Sequence, residues 1–251
     1  YHDKTSEPAN QRTSEPANQQ TMTILDTIHT PYRTFCDRTS LDYKGYQHTG
    51  VTFCQNVEQS SKCRGGLLAD EMGLGKTIIM LGLVTCRFTT RTLIVLPLAL
   101  LSQWQSIIKT RLGHNALIYH GAAKRKYTKE DIERAPIVLT TYGQITKHTP
   151  REGTVRPPAQ SLLKDIEWSR VIFDEGHHLR NPRTGRYKGA LEIHAQCRWV
   201  VTGTPIQNRI SDFHALCAQM GFTEAFYKNP ANLKTIAKNH ILRRTKKAVG
   251  I

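Results

Sequence analysis

One stretch constrains this chain more than any other: Gly66-Leu-Leu-Ala-Asp-Glu-Met-Gly-Leu-Gly-Lys-Thr-Ile-Ile79. Leu67-Leu68-Ala69 is a short apolar run suited to a buried parallel strand. Gly73 and Gly75 follow in a turn, and Lys76-Thr77 open an apolar segment of helical length. Strand, glycine turn and helix in that order predict a phosphate-binding loop. Glycines let backbone N–H groups converge on phosphate oxygens, and a helix N-terminus adds positive partial charge. In the pattern G-x-x-x-x-G-K-[ST], Lys76 reaches the β- and γ-phosphates and the Thr77 hydroxyl sits on Mg²⁺. The pattern asks for glycine where this chain has Asp70. A chance glycine turn would share the same local form, so the remainder of the chain decides.

Further apolar runs of strand length recur along the sequence. They are Thr92–Leu96 (stopped by Pro97), Ala116–Tyr119, Ile137–Thr141, Val171–Phe173 and Trp199–Thr202. Helical patterns separate them. Tyr46, Gly50, Phe53, Cys54 and Val57 share one helix face, Ile78–Val84 is apolar throughout, and Leu98–Ile108, 211–220 and 231–249 read as helices. Short strands alternating with helices predict an α/β fold, a parallel sheet with helices on both faces. Ligands in such sheets bind at the carboxyl ends of strands. The phosphate loop, Asp174-Glu175 and Thr202-Gly203-Thr204 all fall there.

The acidic pair Asp174-Glu175 ends its strand where a phosphate loop needs a partner. Asp174 can hold Mg²⁺, directly or through water, and Glu175 can orient and deprotonate an attacking water. Alone, an acidic strand-to-helix turn is a common surface feature; the loop upstream gives it a role. His177 and His178 follow directly. Adjacent residues point apart, and neither zinc spacing nor a cysteine partner is present.

The chain carries a formal net charge of +15, which points to an anionic partner, nucleic acid before a membrane surface. A solvated basic face would also account for it. No stretch approaches the roughly 20 apolar residues of a membrane span. The six cysteines are scattered, without a C-x-x-C pair, as suits reduced thiols of the cytosol or nucleus. Residues 1–21 repeat Thr-Ser-Glu-Pro-Ala-Asn-Gln at 5–11 and 13–19, with almost nothing to bury, and read as a disordered tail. Residues 22–45 read as a leader packing on the next domain, and 46–251 as that domain. Residues 147–160, with Pro150, Gly153, Pro157 and Pro158, read as a basic surface loop.

The run Asp174-Glu175-Gly176-His177-His178 resembles the DExH-box group of superfamily 2 helicases, and the other motifs narrow the resemblance to Snf2-like ATPases. Asp70-Glu-Met-Gly-Leu-Gly-Lys-Thr77 is similar to that family's motif I, in which aspartate normally replaces the first glycine. Tyr46-Gln47 with Gly50-Val51 resembles the adenine-reading segment. Leu96-Pro97 with Gln103-Trp104 resembles motif Ia, Thr140-Thr141-Tyr142 motif Ib, and Thr202-Gly-Thr-Pro-Ile-Gln-Asn208 motif III. Leu242-Arg-Arg-Thr-Lys246 looks like the segment that closes the first lobe. The resemblance covers about residues 41–250. Trp168–Asp174 and Arg198–Thr202 lean toward the branch with postreplication-repair ATPases, transcription termination factor 2 and a viral global transactivator.

The resemblance implies a RecA-like ATP-binding lobe, completed by a C-terminal RecA-like lobe, in a nuclear motor that spends ATP to move on duplex DNA. Its further partner would be a protein bound to DNA, a nucleosome or transcription complex. ATP and Mg²⁺ would be held by Gln47, by Asp70, Glu71, Met72, Gly73, Leu74, Gly75, Lys76 and Thr77, and by Asp174. Glu175, Asp174 and Lys76 would be catalytic. Gln47 would read adenine. Pro97, Thr140 and Thr141 would lie along the nucleic-acid backbone, while His177, Thr202, Gly203 and Thr204 would couple hydrolysis to that contact. Trp104 also reads as a plain core aromatic, and Lys124-Arg125-Lys126 as either a DNA contact or a solvated loop. Two other functions stay open: a strand-separating helicase, and a catalytically weak DNA-binding regulator that keeps the fold.

Overall fold

The computed structural model describes residues 32–60, 63–86, 91–148, 161–204 and 210–251. The tandem repeat, the first part of the 22–45 leader, most of the 147–160 loop and Pro205 to Arg209 after motif III lie outside the described residues.

The described residues open with helices α1 (Tyr32–Thr39) and α2 (Gly45–Ser60), then strand β1 (Gly65–Leu68), α3 (Lys76–Cys86), β2 (Thr92–Leu96) and α4 (Leu101–Leu112). It continues through β3 (Leu117–Tyr119), α5 (Lys129–Arg134), β4 (Ile137–Thr141), α6 (Tyr142–Ile145), β5 (Trp168–Asp174), α7 (Gly185–Leu191) and β6 (Ala195–Val201). The last elements are α8 (Ile210–Met220), α9 (Glu224–Lys228), α10 (Pro230–His240) and β7 (Ile241–Leu242). All seven strands run parallel in one sheet, in the order β3-β4-β2-β5-β6-β1-β7.

The strands are apolar at nearly every position because both faces are buried, and alternate side chains serve different cores. On one face, Leu68, Ile94, Leu96, Ile172, Trp199 and Val201 pack with α1 to α4. On the other, Leu67, Leu93, Val95, Val171, Phe173 and Val200 pack with α5 to α10. Helix α4 buries Trp104, Ile108 and Leu112, one every fourth residue, and ends on Gly113 in the left-handed region. Helix α5 starts on a capping box between Thr128 and Asp131. Helix α3 buries every residue from Ile79 to Cys86, because α1 and α2 cover it on the side away from the sheet.

Arg170 interrupts the apolar run of β5 and points to the α2 side. Both it and Glu58 of α2 are fully buried, joined by two hydrogen bonds of 2.6 and 2.7 Å, and Trp199 donates to the same carboxylate at 2.9 Å. This pair fastens α2 to the middle of the sheet.

The structure departs from the sequence reading mainly near the end of the chain. The helix expected over 231–249 stops at His240. Ile241 and Leu242 then pair with Leu67 and Leu68, and Ala69 N–H donates to the Leu242 carbonyl. Without β7, strand β1 would form an open sheet edge beside the phosphate loop; pairing satisfies those backbone groups. The helix expected from Leu98 opens as a 3-10 turn, Leu98–Leu100, before becoming α4. Helix α1 falls in the segment read as a leader; it buries Tyr32, Phe35 and Cys36 against the α3 side of the core.

Candidate functional site

The carboxyl ends of β1, β5 and β6 lie side by side, and the loops leaving them converge. Leaving β1, the chain passes through Asp70 to Gly75 and enters α3 at Lys76. Gly73 and Gly75 have φ of +90° and +75°, values that side chains with a Cβ resist. A Cβ on Gly75 would also stand 2.3 Å from Gln47 Nε2. The loop thus closes over the N-terminus of α3 with its backbone inward, as an anion cradle requires.

Lys76 reaches back across this loop. Its Nζ donates to the Asp70 carbonyl at 2.8 Å and to the Glu71 carbonyl at 3.4 Å. Burial pulls its pKa down, opposed by Glu175, Asp70 and Asp174. Gly203, in the turn after β6, lies against it: a Cβ there would sit 3.4 Å from Lys76 Nζ and 3.2 Å from Met72 Cγ. Thr77 stands at the second position of α3.

Asp174 ends β5 and is only 7% exposed. Its Oδ1 accepts from the Glu175 N–H at 2.9 Å and its Oδ2 from Trp104 Nε1 at 2.7 Å. Burial raises its pKa, an effect that the Trp104 and Glu175 donors oppose. Glu175 adopts φ +50°, a left-handed conformation that costs a non-glycine residue about 1–2 kcal/mol. That turn directs its carboxylate away from the strand, 3.1 Å from His177 Nδ1. The next residue has to be glycine, since a Cβ on Gly176 would lie 2.3 Å from Val200.

The other expected residues fall into two groups. Thr202 is buried, its hydroxyl oxygen accepting from Thr204 N–H, while Thr204 Oγ1 accepts from Arg180 at 3.1 Å. These tie the turn after β6 to the segment after β5. By contrast, three residues expected at a ligand face inward. Asp70 is fully buried and binds Arg244 with both carboxylate oxygens, so its side chain serves the loop's frame and not a nucleotide. Thr140 is fully buried and donates to the Tyr119 carbonyl, and Thr141 is buried with its hydroxyl 3.1 Å from His120. The Thr140 hydroxyl thus spends its hydrogen on Tyr119. Pro97 remains partly open, followed by exposed Leu98 and Ala99.

Gln47 is wedged between α1 and the loop, accepting from Tyr32 Oη at 3.1 Å and donating to the Leu74 carbonyl at 3.3 Å. These two bonds leave one lone pair and one N–H of its amide. Glu71 accepts from Lys246 N–H at 2.7 Å, Leu74 is buried, and Met72 projects outward, 71% exposed. His178 lies against the Tyr142 ring, with ring centres 5.3 Å apart, and within 3.4 Å of Arg186.

Sequence reasoning missed the roles of Arg244, Trp104 and Tyr142. Trp104 is the core aromatic expected, but its N–H ends on Asp174; Tyr142 Oη donates to the Asp174 carbonyl at 2.7 Å. The available signal was general: a buried indole or phenol needs a polar partner.

Backbone N–H groups at the α3 N-terminus, a lysine folded over them and a held carboxylate form a donor set that fits a nucleoside triphosphate with Mg²⁺. A phosphate loop facing an acidic pair across the carboxyl edge of a parallel sheet is the arrangement of RecA-type nucleotide-binding lobes, and that is the class of this protein. The chain belongs to the SNF2-related domain family, which it matches over residues 46–251.

Among its relatives is the DNA repair protein rad8 of Schizosaccharomyces pombe, 36% identical over 203 residues, which cover 70% of this chain and 18% of rad8. The probable global transactivator of Orgyia pseudotsugata multicapsid polyhedrosis virus is 34% identical over 174 residues, covering 68% of this chain and 34% of that protein. The Sulfolobus solfataricus SWI2/SNF2 ATPase core in complex with dsDNA superposes with a TM-score of 0.69 at 25% identity, covering 90% of this chain and 48% of that one. The chain therefore spans less than a fifth of the repair relative's length and about half of the archaeal core.

Proposed function

We propose that residues 46–251 form the first, ATP-binding lobe of a DNA-stimulated ATPase that moves on duplex DNA and displaces proteins bound to it. The observation that carries this reading is a glycine loop, with Lys76 folded back on the Asp70 and Glu71 carbonyls, at the same carboxyl edge of the sheet as Asp174 and Glu175. The loop backbone and Lys76 would hold the β- and γ-phosphates. Thr77 and Asp174 would hold Mg²⁺, which when bound neutralises charge on the phosphate oxygens. Glu175, turned out of its strand, would orient the attacking water and accept its proton.

Support for a nucleic-acid partner comes from charge and shape. A cleft of about 940 Å³, separate from the Lys76 site, is lined by Tyr119, Lys124, Arg125 and Tyr127, and by Lys147 and Lys164, which share the Glu192 carboxylate. It lies beside the end of β3 and α6, where a phosphate backbone would meet Lys124 and Arg125. Action in the nucleus, on a nucleosome or a transcription complex, follows from the same reading.

A second RecA-like lobe would supply arginines to the transferring phosphoryl group, an effect worth about 10³–10⁵ in rate in related GTPases. The deciding experiment is steady-state ATPase with saturating duplex DNA, on residues 1–251 alone and with a C-terminal lobe joined in cis. The joined protein should be faster by orders of magnitude and stimulated by DNA. Equal rates would refute the two-lobe reading, and forked-duplex products would show a strand-separating helicase instead.

A further inference from the structure

We propose that Trp104 and Tyr142 are positioning residues for Asp174, linking it to the segments that leave β2 and β4. The inference rests on reading the Lys76–Asp174 site as one for ATP with Mg²⁺. Asp174 sits in an interior almost closed to water, so protein donors must fix the direction of its carboxylate. The Glu175 N–H takes Oδ1 at 2.9 Å and Trp104 Nε1 takes Oδ2 at 2.7 Å. An indole N–H is a donor with no acceptor capacity, and each carboxylate oxygen keeps a lone pair free after one such bond. The carboxylate is thereby aimed without being used up.

The backbone beneath it is held as well. Tyr142, buried at the start of α6, donates its hydroxyl to the Asp174 carbonyl at 2.7 Å. Trp104 lies on the first turn of α4, after Pro97 and the exposed Leu98-Ala99. Tyr142 follows Thr141 directly, and its ring also meets His178. Two separate strand-end segments therefore terminate on one aspartate, its side chain held from α4 and its main chain from α6. A shift in the first turn of either helix would re-aim the carboxylate.

The test is equilibrium binding of a fluorescent, non-hydrolysable ATP analogue to the 251-residue chain, in EDTA and in saturating Mg²⁺. Trp104→Phe keeps an aromatic ring in the core and removes the donor. Tyr142→Phe removes the second hydroxyl alone. We expect both variants to match the parent in EDTA and to lose much of the Mg²⁺-dependent gain in affinity. For Trp104→Phe the loss should be roughly tenfold, as for other partners that orient a metal ligand. The proposal is overturned if the variants keep the whole Mg²⁺-dependent gain. An equal loss in EDTA and Mg²⁺ overturns it too, since that marks a packing role. If Trp104→Phe does not fold, Tyr142→Phe decides by the same outcomes. A parent chain that binds no nucleotide would refute the site reading and this inference together. A parent that binds equally with and without Mg²⁺ would refute the inference and the Mg²⁺ role of Asp174, and leave the nucleotide site standing.

Discussion

Asp70 closes on Arg244, 174 residues further along the chain. Its Oδ1 accepts from the Arg244 backbone N–H at 2.9 Å and from Nε at 3.1 Å, and its Oδ2 takes Nη2 at 2.5 Å. Arg244 also donates to the Tyr46 carbonyl and stacks over that ring. One residue on, Glu71 N–H donates to the Arg244 carbonyl and the Glu71 carboxylate accepts from Lys246 N–H. The phosphate loop is therefore clamped by the segment that follows β7. The aspartate in place of the loop's usual first glycine is half of that clamp.

This relationship predicts that Asp70→Gly, which restores the generic pattern, makes the protein worse. It strands a guanidinium that is only 14% exposed. Breaking a buried pair from one side costs about 3–5 kcal/mol, and Arg244 can reach some water, so a loss of about 3 kcal/mol is expected. Urea unfolding of the two chains measures it directly, and a change under 1 kcal/mol would contradict the clamp.

Lys76→Ala should remove nucleotide binding and leave the fold in place. The lysine's protein partners are two backbone carbonyls at 2.8 and 3.4 Å, weak anchors for the fold, whereas the facing phosphates would lose their cation. Titration calorimetry with ATP and Mg²⁺, beside a far-ultraviolet dichroism spectrum, separates the two effects. Retained affinity would show that another group carries the phosphates.

Glu175 should display a trade between stability and turnover. Glu175→Gln keeps the left-handed turn and its cost but loses the proton acceptor, so this chain joined to a second RecA-like lobe should bind ATP and not hydrolyse it. Glu175→Gly should abolish turnover as well while gaining up to about 1 kcal/mol in stability, because glycine adopts φ +50° freely. Turnover surviving in either variant would assign the base elsewhere.

Affinity for duplex DNA should fall steeply with salt and vary little with sequence, since Lys124 and Arg125 offer charge without a means of reading bases, while Lys147 and Lys164 are already paired with Glu192. Each phosphate neutralised contributes a slope of about −0.9 in log affinity against log salt. A Lys124→Ala/Arg125→Ala chain should lose nearly two units of that slope. A flat plot for the parent, or an unchanged slope for the variant, would remove DNA from this cleft.

The sequence by itself determined the main strands, their alternation with helices and the chemistry of the nucleotide side. Strand, glycine turn and Lys76-Thr77 are adjacent in the chain, so local spacing alone encodes the loop and the helix behind it. Apolar runs without alternation announced a sheet buried on both faces, and Asp174-Glu175 announced where it would meet the loop. Tertiary structure decided which side chains face that site. Thr140 and Asp70 belong to recognisable motifs, yet both are fully buried with their oxygens committed, one to Tyr119 and the other to Arg244. Trp104 and Tyr142 reach Asp174 across 70 and 32 positions, distances over which hydrophobic periodicity carries no information. Residues 241–242 became a strand because β1 had an open edge to pair, a need that arises only once the sheet exists. Local pattern fixes what a segment can be; the partners that satisfy its polar atoms come from segments far away in the chain, and those partners set its role.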